Sequence, residues 1–297
     1  MNTHVKANIA ASMCLIALLF PVAGSCGEEI DQTIEMSASG LVQVENLAGT
    51  IEFSTWDRDE VQVRGEAGED VEEVEISSST KGVQIRVRNA KNKRRVDGTD
   101  LHLRIPEKAS IEAESVSADI SVSGSSGDSV MLNTVSGDLE VEASPERIEL
   151  ASVSGDIEFD GQVMRTAVES VSGDITVVGA AGEVNVSTVS GDVSLEAGDV
   201  SRGRFESVSG ELTLELALED GGRLNCDSMS GDLNLSLPAS QKADFGAQSY
   251  SGDINTDFGR AVSVSRGPGT MLEHREGDNG AQIRLETFSG DISIRSQ

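Results

Sequence analysis

The sequence predicts an all-β fold, a single-stranded β-solenoid (β-helix) with about 18–21 residues per rung and an irregular β region at its N-terminal side. Three observations lead to this prediction. A short motif recurs along the chain, apolar residues stand at fixed offsets from it, and aromatic residues are scarce. One Trp, one Tyr and seven Phe in 297 residues cannot fill the core of an ordinary large domain. Stacked Val, Ile and Leu can fill the narrow interior of a solenoid.

The recurring motif reads Ser/Thr-x-Ser-Gly-Asp followed by an apolar residue, with small variations. Its glycine position is occupied, in chain order, by Ala118, Gly137, Gly155, Gly173, Gly191, Gly210, Gly231, Gly252 and Gly290. Successive spacings are 19, 18, 18, 18, 19, 21, 21 and 38 residues. Because 38 is close to two periods, we expect a degenerate copy at Gly269, and an early copy is recognisable at Gly49. A fixed period of this length is typical of stacked rungs.

Apolar residues occupy positions −7, −5, −2, +2 and +4 relative to the glycine. In the fifth copy these are Val184, Val186, Val189, Val193 and Leu195. Positions −7/−5 and +2/+4 each alternate as a β-strand with one buried face does. The Ser-Gly-Asp step between them predicts a corner, since Gly tolerates tight backbone angles and Ser and Asp bond locally to the backbone. We expect all five apolar columns to be buried.

The chain divides into four segments by pattern. Residues 1–25 form a signal peptide, 26–37 a tether, 38–114 an N-terminal β region with the first rung and irregular strands, and 115–297 the repetitive β-solenoid. Strand-like pieces within 51–111 do not follow the repeat, and we interpret them as hairpins or irregular rungs of the same β-body.

The N-terminal segment predicts export. Residues 9–23 are almost wholly apolar, but this run is shorter than the ~20 residues of a membrane span and is followed by small residues, as in a secretory signal. Val22-Ala23-Gly24-Ser25-Cys26 resembles a bacterial lipobox, which predicts Cys26 as a lipid anchor. Ordinary cleavage near Ser25, leaving Cys26 as a thiol, is the alternative. The expected location is the cell envelope, at the outer membrane or cell surface.

The charge balance excludes one class of partner. Asp plus Glu number 51 against 23 Lys plus Arg, which gives a formal net charge of −28. A chain this acidic repels phosphate backbones, so nucleic-acid binding is not expected. Contact with the membrane is expected through the lipid anchor alone.

An acidic column follows the corner glycines. Its members are Asp119, Asp138, Asp156, Asp174, Asp192, Glu211, Asp232, Asp253 and Asp291. Stacking would place successive carboxylates about 5 Å apart, where they repel by ~0.8 kcal/mol in water. The column is either a structural corner, which we favour, or a weak Ca²⁺ site. No other cofactor or metal is predicted.

No set of residues predicts catalysis. The corner serines recur without a histidine beside them, so hydroxyl bonds between rungs explain them better than a nucleophile does. Cys226 stands at position −5 and reads as a small buried apolar residue. His102 alternates with leucines and should point outward, and His274 should lie in a polar loop.

Two further features have open interpretations. Trp56 either covers the end of the solenoid or offers a platform for a sugar ring. The basic run Lys91–Arg95 is either a solvated loop tip or a contact for a headgroup or acidic polymer. Specificity for a partner is expected where the repeat is interrupted, in residues 54–110 or 260–282.

The reiterated Ser-Val-Ser-Gly-Asp-Ile motif, the Leu101–Pro106 segment and the Gly-Thr-Ile rung at 49–51 resemble a bacterial adhesin-like family, a domain of unknown function related to the heads of autotransporter adhesins. The resemblance spans residues 38–297 and implies a non-catalytic surface or envelope module that binds a protein or glycan. A carbohydrate-active β-helix enzyme, either a polysaccharide lyase or a hydrolase, is the alternative.

Overall fold

The computed structural model describes residues 29–90, 97–264, 269–275 and 280–297. These residues form 21 strands and no helix, and every strand belongs to one continuous hydrogen-bonded sheet. Within these ranges no helix has the length and apolar content needed to cross a membrane. The all-β prediction is confirmed.

The strands before the repeats are β1 (Glu29–Glu35), β2 (Leu41–Trp56), β3 (Glu60–Glu66), β4 (Val71–Ser79), β5 (Gly82–Asn89), β6 (Thr99–Pro106) and β7 (Ser110–Ser123). The repeats contribute β8 (Ser129–Asn133), β9 (Leu139–Glu142), β10 (Arg147–Ser152), β11 (Ile157–Ser170), β12 (Ile175–Thr188), β13 (Val193–Ser209), β14 (Leu212–Ser230), β15 (Leu233–Leu237), β16 (Ala243–Ser249) and β17 (Ile254–Thr256). The last strands are β18 (Val262–Ser263), β19 (Thr270–His274), β20 (Ala281–Ser289) and β21 (Ile292–Ser296).

Successive rungs pair in parallel with equivalent repeat positions aligned. Val186 lies opposite Val168 on one side and Phe205 on the other, and Ile175 lies opposite Ile157. Each rung therefore supplies one strand segment before the corner and one after it. We call the two resulting surfaces the pre-corner face and the post-corner face. The β-solenoid prediction is confirmed.

The core lies between these two faces and is made of the columns at −7, −5, +2 and +4. Around Gly155 these residues are Ile148, Leu150, Ile157 and Phe159, each at most 2% exposed. The alternation of a strand places the intervening residues in solvent, so the core needs only aliphatic side chains and an occasional Phe.

The rungs do not stack in chain order at the C-terminal end. Strands β20 and β21 pair with β14 and β15 on one side and with β16 and β17 on the other. The rung of Gly290 is therefore inserted between those of Gly231 and Gly252. The expected degenerate rung at Gly269 is wrong: β18 and β19 form an antiparallel hairpin there, and β19 pairs antiparallel with β16.

The N-terminal end has its own closing strands. Strand β2 forms a complete rung that pairs in parallel with β7 on one side and with β5 and β6 on the other. Strands β4, β3 and β1 then add in antiparallel pairs. As predicted, the irregular pieces belong to the same β-body: β5 and β6 form an irregular rung parallel to the first one, and β4, β3 and β1 add to it as antiparallel strands.

Candidate interaction surface

From Ala118 to Gly191 the corners are held by hydrogen bonds that repeat from rung to rung. In the later corners the N–H of Gly210, Gly231 and Gly290 donates to a backbone carbonyl oxygen of the neighbouring rung instead. The N–H of Gly155 donates to Oγ of Ser152 at 2.8 Å, which satisfies a backbone group inside the turn. Oγ of Ser154 donates to the carbonyl oxygen of Val135 in the preceding rung at 3.2 Å. The residue at −3 is buried so that its hydroxyl can reach the glycine N–H, and the residue at −2 consequently faces outward.

The expectation that the −2 column is buried is therefore wrong. Its side chains are 42% to 63% exposed and form one unbroken line along the corner, which we call the corner ridge. In spatial order the ridge consists of Val116, Val135, Val153, Val171, Val189, Val208, Met229, Phe288 and Tyr250. At ~4.8 Å per rung the ridge is roughly 38 Å long.

The ridge changes in character at its C-terminal end. Met229 and Phe288 are its two most exposed members, at 61% and 63%. The rings of Phe288 and Tyr250 stack with their centroids 5.9 Å apart. These three large side chains are neighbours only because the Gly290 rung is inserted out of chain order.

The acidic column runs beside the ridge with its members exposed to solvent. Oδ1 of Asp138 accepts the backbone N–H of Asp156 at 2.9 Å, and Oδ1 of Asp156 accepts that of Asp174 at the same distance. The column thus acts as a ladder that ties one corner to the next. Among the described residues there is no group of three or more His, Cys, Asp or Glu side chains placed to hold a metal ion.

The post-corner face continues this negative charge. Its outward positions at +3 and +5 carry Glu140, Glu142, Glu158, Asp160, Glu196, Glu215 and Asp257. In the post-corner segments of the nine motif copies that the structure describes, Arg295 is the one cationic side chain. Beyond the first rung, β6 and β3 add Arg104 and Arg64 to this face. Both the acidic column and the face beyond it are therefore largely without compensating charge.

The pre-corner face carries arginines that pair with their own neighbours. Arg204 is ion-paired with Glu206, and Arg284 with Glu286. Asp227 lies between the two pairs in the stack. Burial raises the pKa of the Asp227 carboxyl, and the negative charges of Glu286 and Glu206 raise this pKa further.

A shallow cavity of about 490 Å³ lies at the C-terminal end of this face, lined among others by Arg223, Arg284, Glu273 and His274. It falls partly in the 260–282 interruption where specificity was expected, but its charges are mixed. The prediction of a loop at His274 is wrong, since this residue ends β19 with its ring centroid 6.3 Å from that of Phe245.

Three other residues considered as candidate sites from the sequence have contacts that belong to the fold. Cys226 is buried at 1% exposure, as predicted, and burial raises the pKa of its thiol. His102 points outward, with Nδ1 2.7 Å from a carboxylate oxygen of Glu52. Trp56 donates its Nε1–H to the carbonyl oxygen of Glu60 at 2.8 Å in the turn after β2.

The guanidinium carbon of Arg58 lies over one face of the Trp56 ring, 5.0 Å from its centroid, where it occupies a position that a stacked sugar would need. Cys26 and the basic run at 91–95 lie outside the described residues. The corner ridge is the feature that sequence reasoning missed. The signal that could have revealed it is the change of parity between positions −5 and −2.

The sequence model of the Toastrack DUF4097 family matches residues 42–295. The chain belongs to the Toastrack DUF4097 family. This match confirms the adhesin-like resemblance, in a family of unknown function. No curated protein matches the chain.

Solved structures similar to this Toastrack chain share little sequence with it. A candidate adhesin from Bacteroides fragilis is 10% identical, with a TM-score of 0.44 over 90% of this chain and 97% of that one. A candidate lipid-binding protein from Parabacteroides distasonis is 12% identical, with a TM-score of 0.48 over the same shares. A candidate cell adhesion protein from Clostridium sporogenes is 9% identical, with a TM-score of 0.22 over 91% and 100%.

Proposed function

We propose that this Toastrack chain is an exported, lipid-anchored, adhesin-like module that binds a protein or glycan partner at the cell surface without catalysing a reaction. The observation that carries the proposal is the unbroken corner ridge. Regular rungs repeat one surface, and here that surface is an apolar line roughly 38 Å long at ~4.8 Å per rung.

Large contiguous apolar surface on a soluble protein marks an interaction site. A ridge whose only task was to turn the chain could carry Ser or Thr at −2, since the corner hydrogen bonds come from positions −3, −1 and +1. An apolar residue stands at −2 in all nine copies. This choice is explained by burial against a partner.

The leader and the lipobox-like Val22–Cys26 segment support the location at the envelope. Several acyl chains on Cys26 would hold the rod stably at a membrane, where one chain would not. The −28 charge supports display in solution rather than contact of the rod with an anionic bilayer.

Metabolic labelling with radioactive palmitate tests the anchor. The full-length chain should be labelled and recovered with membranes, and Cys26→Ser should lose the label and be released. Absence of label on the wild-type chain would overturn the anchored form of the proposal.

Binding of the mature domain to intact cells and to immobilised glycans tests the module itself. The triple variant Val153→Ser, Val171→Ser, Val189→Ser should keep its β-type circular dichroism spectrum but lose retention. Equal retention of the variant and the wild-type domain would show that the corner ridge does not bind the partner. Degradation of any polysaccharide in the same samples would favour the enzyme alternative instead.

A further inference from the structure

The two sides of the corner ridge differ in charge. On the post-corner side the acidic column stands three residues from each ridge residue, and arginine is nearly absent beyond it. On the pre-corner side the nearest outward position, −4, is acidic in only five of the nine copies, and two of those acids, Glu206 and Glu286, are paired with Arg204 and Arg284. The surface open to a partner is therefore an apolar line bordered by a line of unpaired carboxylates.

Hydrogen bonds fix the carboxylates of the acidic column in one orientation. Oδ1 of Asp138, Asp156 and Asp174 each accepts a backbone N–H from the following rung, which fixes the orientation of the side chain. The second oxygen of each receives no hydrogen bond from any described residue. Fixed acceptors in a row favour a bound Lys or Arg because the ordering of the carboxylates is already complete before binding.

A second copy of this chain does not fit the same surface. Antiparallel docking of ridge on ridge would bring the two acidic columns together, and docking in either direction would bring two chains of net charge −28 into contact. Like charges juxtaposed in an interface cost several kcal/mol. The occupant must supply apolar groups and positive charge together.

We propose that the corner ridge and the acidic column together bind a cationic amphipathic polypeptide segment, whose apolar side chains cover the ridge while its Lys or Arg side chains pair with the column. This inference rests on the proposed function, because it names the partner of the same ridge. The segment anchors at Met229, Phe288 and Tyr250, where the exposed apolar side chains are largest.

The side chains of Met229, Phe288 and Tyr250 have the chemistry that recognition of such a segment needs. Met229 is flexible and adapts to different apolar side chains. The stacked Phe288 and Tyr250 rings offer apolar area and, on their faces, a site for a cation. The valine part of the ridge then extends the contact along the rod.

Fluorescence anisotropy with residues 27–297 and three synthetic 16-residue peptides tests the inference. The peptides are alternating Lys-Leu, alternating Lys-Ser and alternating Glu-Leu. We expect the Lys-Leu peptide to bind at least about tenfold more tightly than the other two, a difference of about 1.4 kcal/mol. If the Lys-Ser peptide binds as tightly as the Lys-Leu peptide, charge alone accounts for the binding. If the Glu-Leu peptide binds as tightly, apolar contact alone accounts for it. Either result overturns the inference.

Variants locate the binding. Met229→Ser with Phe288→Ser should weaken the Lys-Leu peptide about tenfold or more. Met164→Ser removes a methionine of similar exposure, 59%, that lies off the ridge, and should change nothing. The triple variant Asp156→Asn, Asp174→Asn, Asp192→Asn keeps the Oδ1 acceptors and removes the charges, so it should weaken binding and reduce its dependence on salt. Unchanged affinity in both ridge and column variants would overturn the inference.

The outcomes separate this inference from the proposed function. If cell retention depends on the ridge but the Lys-Leu peptide does not bind, the proposed binding function is supported and the inference of a cationic partner is overturned. Sedimentation of residues 27–297 as a dimer that Phe288→Ser dissociates would assign the ridge to a second copy and overturn the inference.

Discussion

From Gly155 onward, the glycine of each corner lies against the carbonyl of the glycine in the neighbouring rung. A Cβ built on Gly173 would overlap the carbonyl oxygen of Gly155, and a Cβ on Gly191 would overlap that of Gly173. The requirement for glycine there comes from this close approach between rungs. The neighbouring Ser and Asp then satisfy the backbone groups that the corner leaves without strand partners.

Gly173→Ala should destabilise the fold by about 2–4 kcal/mol, because the added methyl forces two backbones apart in a buried corner. Gly198→Ala is the control, since a Cβ there meets its nearest atom at 3.9 Å. Urea unfolding of both variants measures the difference. Equal midpoints for Gly173→Ala and the wild-type chain would contradict the close-approach explanation.

Cys226 provides a prediction about alkaline pH. Burial raises the pKa of its thiol above the unfolded value of about 8.5, so the stability from the buried thiol is present below pH 8.5 and is lost as the pH rises beyond it. In residues 27–297, Cys226→Val should flatten the fall in unfolding free energy between pH 8 and 10.

The control is thiol labelling with a disulfide reagent. The native domain should react only as it unfolds, because the thiolate is the reactive form and burial suppresses it. Rapid labelling of the folded domain at pH 8 would show that Cys226 is accessible and would contradict its buried position.

At the scale of elements, the C-terminal rung is the strands β20 and β21, and it pairs on both sides. Strands β16 and β17 reach the rest of the sheet through it. Its partners are far apart in sequence: Cys226 lies opposite Leu285. The chain therefore turns back past the β18–β19 hairpin to place this rung between its two partners.

Deletion of residues 281–297 should release β16 and β17 while the central rungs remain folded. Hydrogen exchange should show lost protection in β16 and retained protection in β10 to β12, since each rung contacts mainly its neighbours. Deletion of β1, whose one partner among the described strands is β3, is the control and should leave β16 protected. Retained protection of β16 without residues 281–297 would contradict the inserted order.

At the scale of the whole molecule, negative charge follows the stack of rungs, with one carboxylate per motif copy in the acidic column. Neighbouring carboxylates of the column about 5 Å apart repel by roughly 0.8 kcal/mol each in water. The ladder of N–H bonds to Oδ1 offsets part of this cost. The remaining repulsion acts along the full length of the stack and is screened by salt.

Raising NaCl from about 10 mM to about 500 mM should therefore raise the Tm, because screening weakens the repulsion within the stack. The rise should be smaller in the Asp156→Asn, Asp174→Asn, Asp192→Asn variant, whose amides keep the ladder bonds. CaCl₂ at equal ionic strength should match NaCl. A further increase with Ca²⁺ would show specific binding and contradict a purely structural column.

Much of this architecture can be predicted from the sequence. The 18-residue spacing of Gly155, Gly173 and Gly191 reports a rung, because stacked rungs must place the same residue at the same point of close approach. The alternation around Ile148 and Leu150 reports a strand with one buried face. Both are local or periodic constraints, and a single sequence contains them.

The ridge and the inserted rung were decided by the tertiary structure. The sequence shows that position 153 is a valine but not whether its side chain faces the core or the solvent. The buried hydroxyl of Ser152, which accepts the N–H of Gly155, turns Val153 toward the solvent. Nothing in the spacing of Gly231, Gly252 and Gly290 shows that the last comes to lie between the other two. Sequence by itself determined the rung, its strands and its corner. Pairing between residues far apart in the chain decided the order of the rungs and which apolar column remained on the surface.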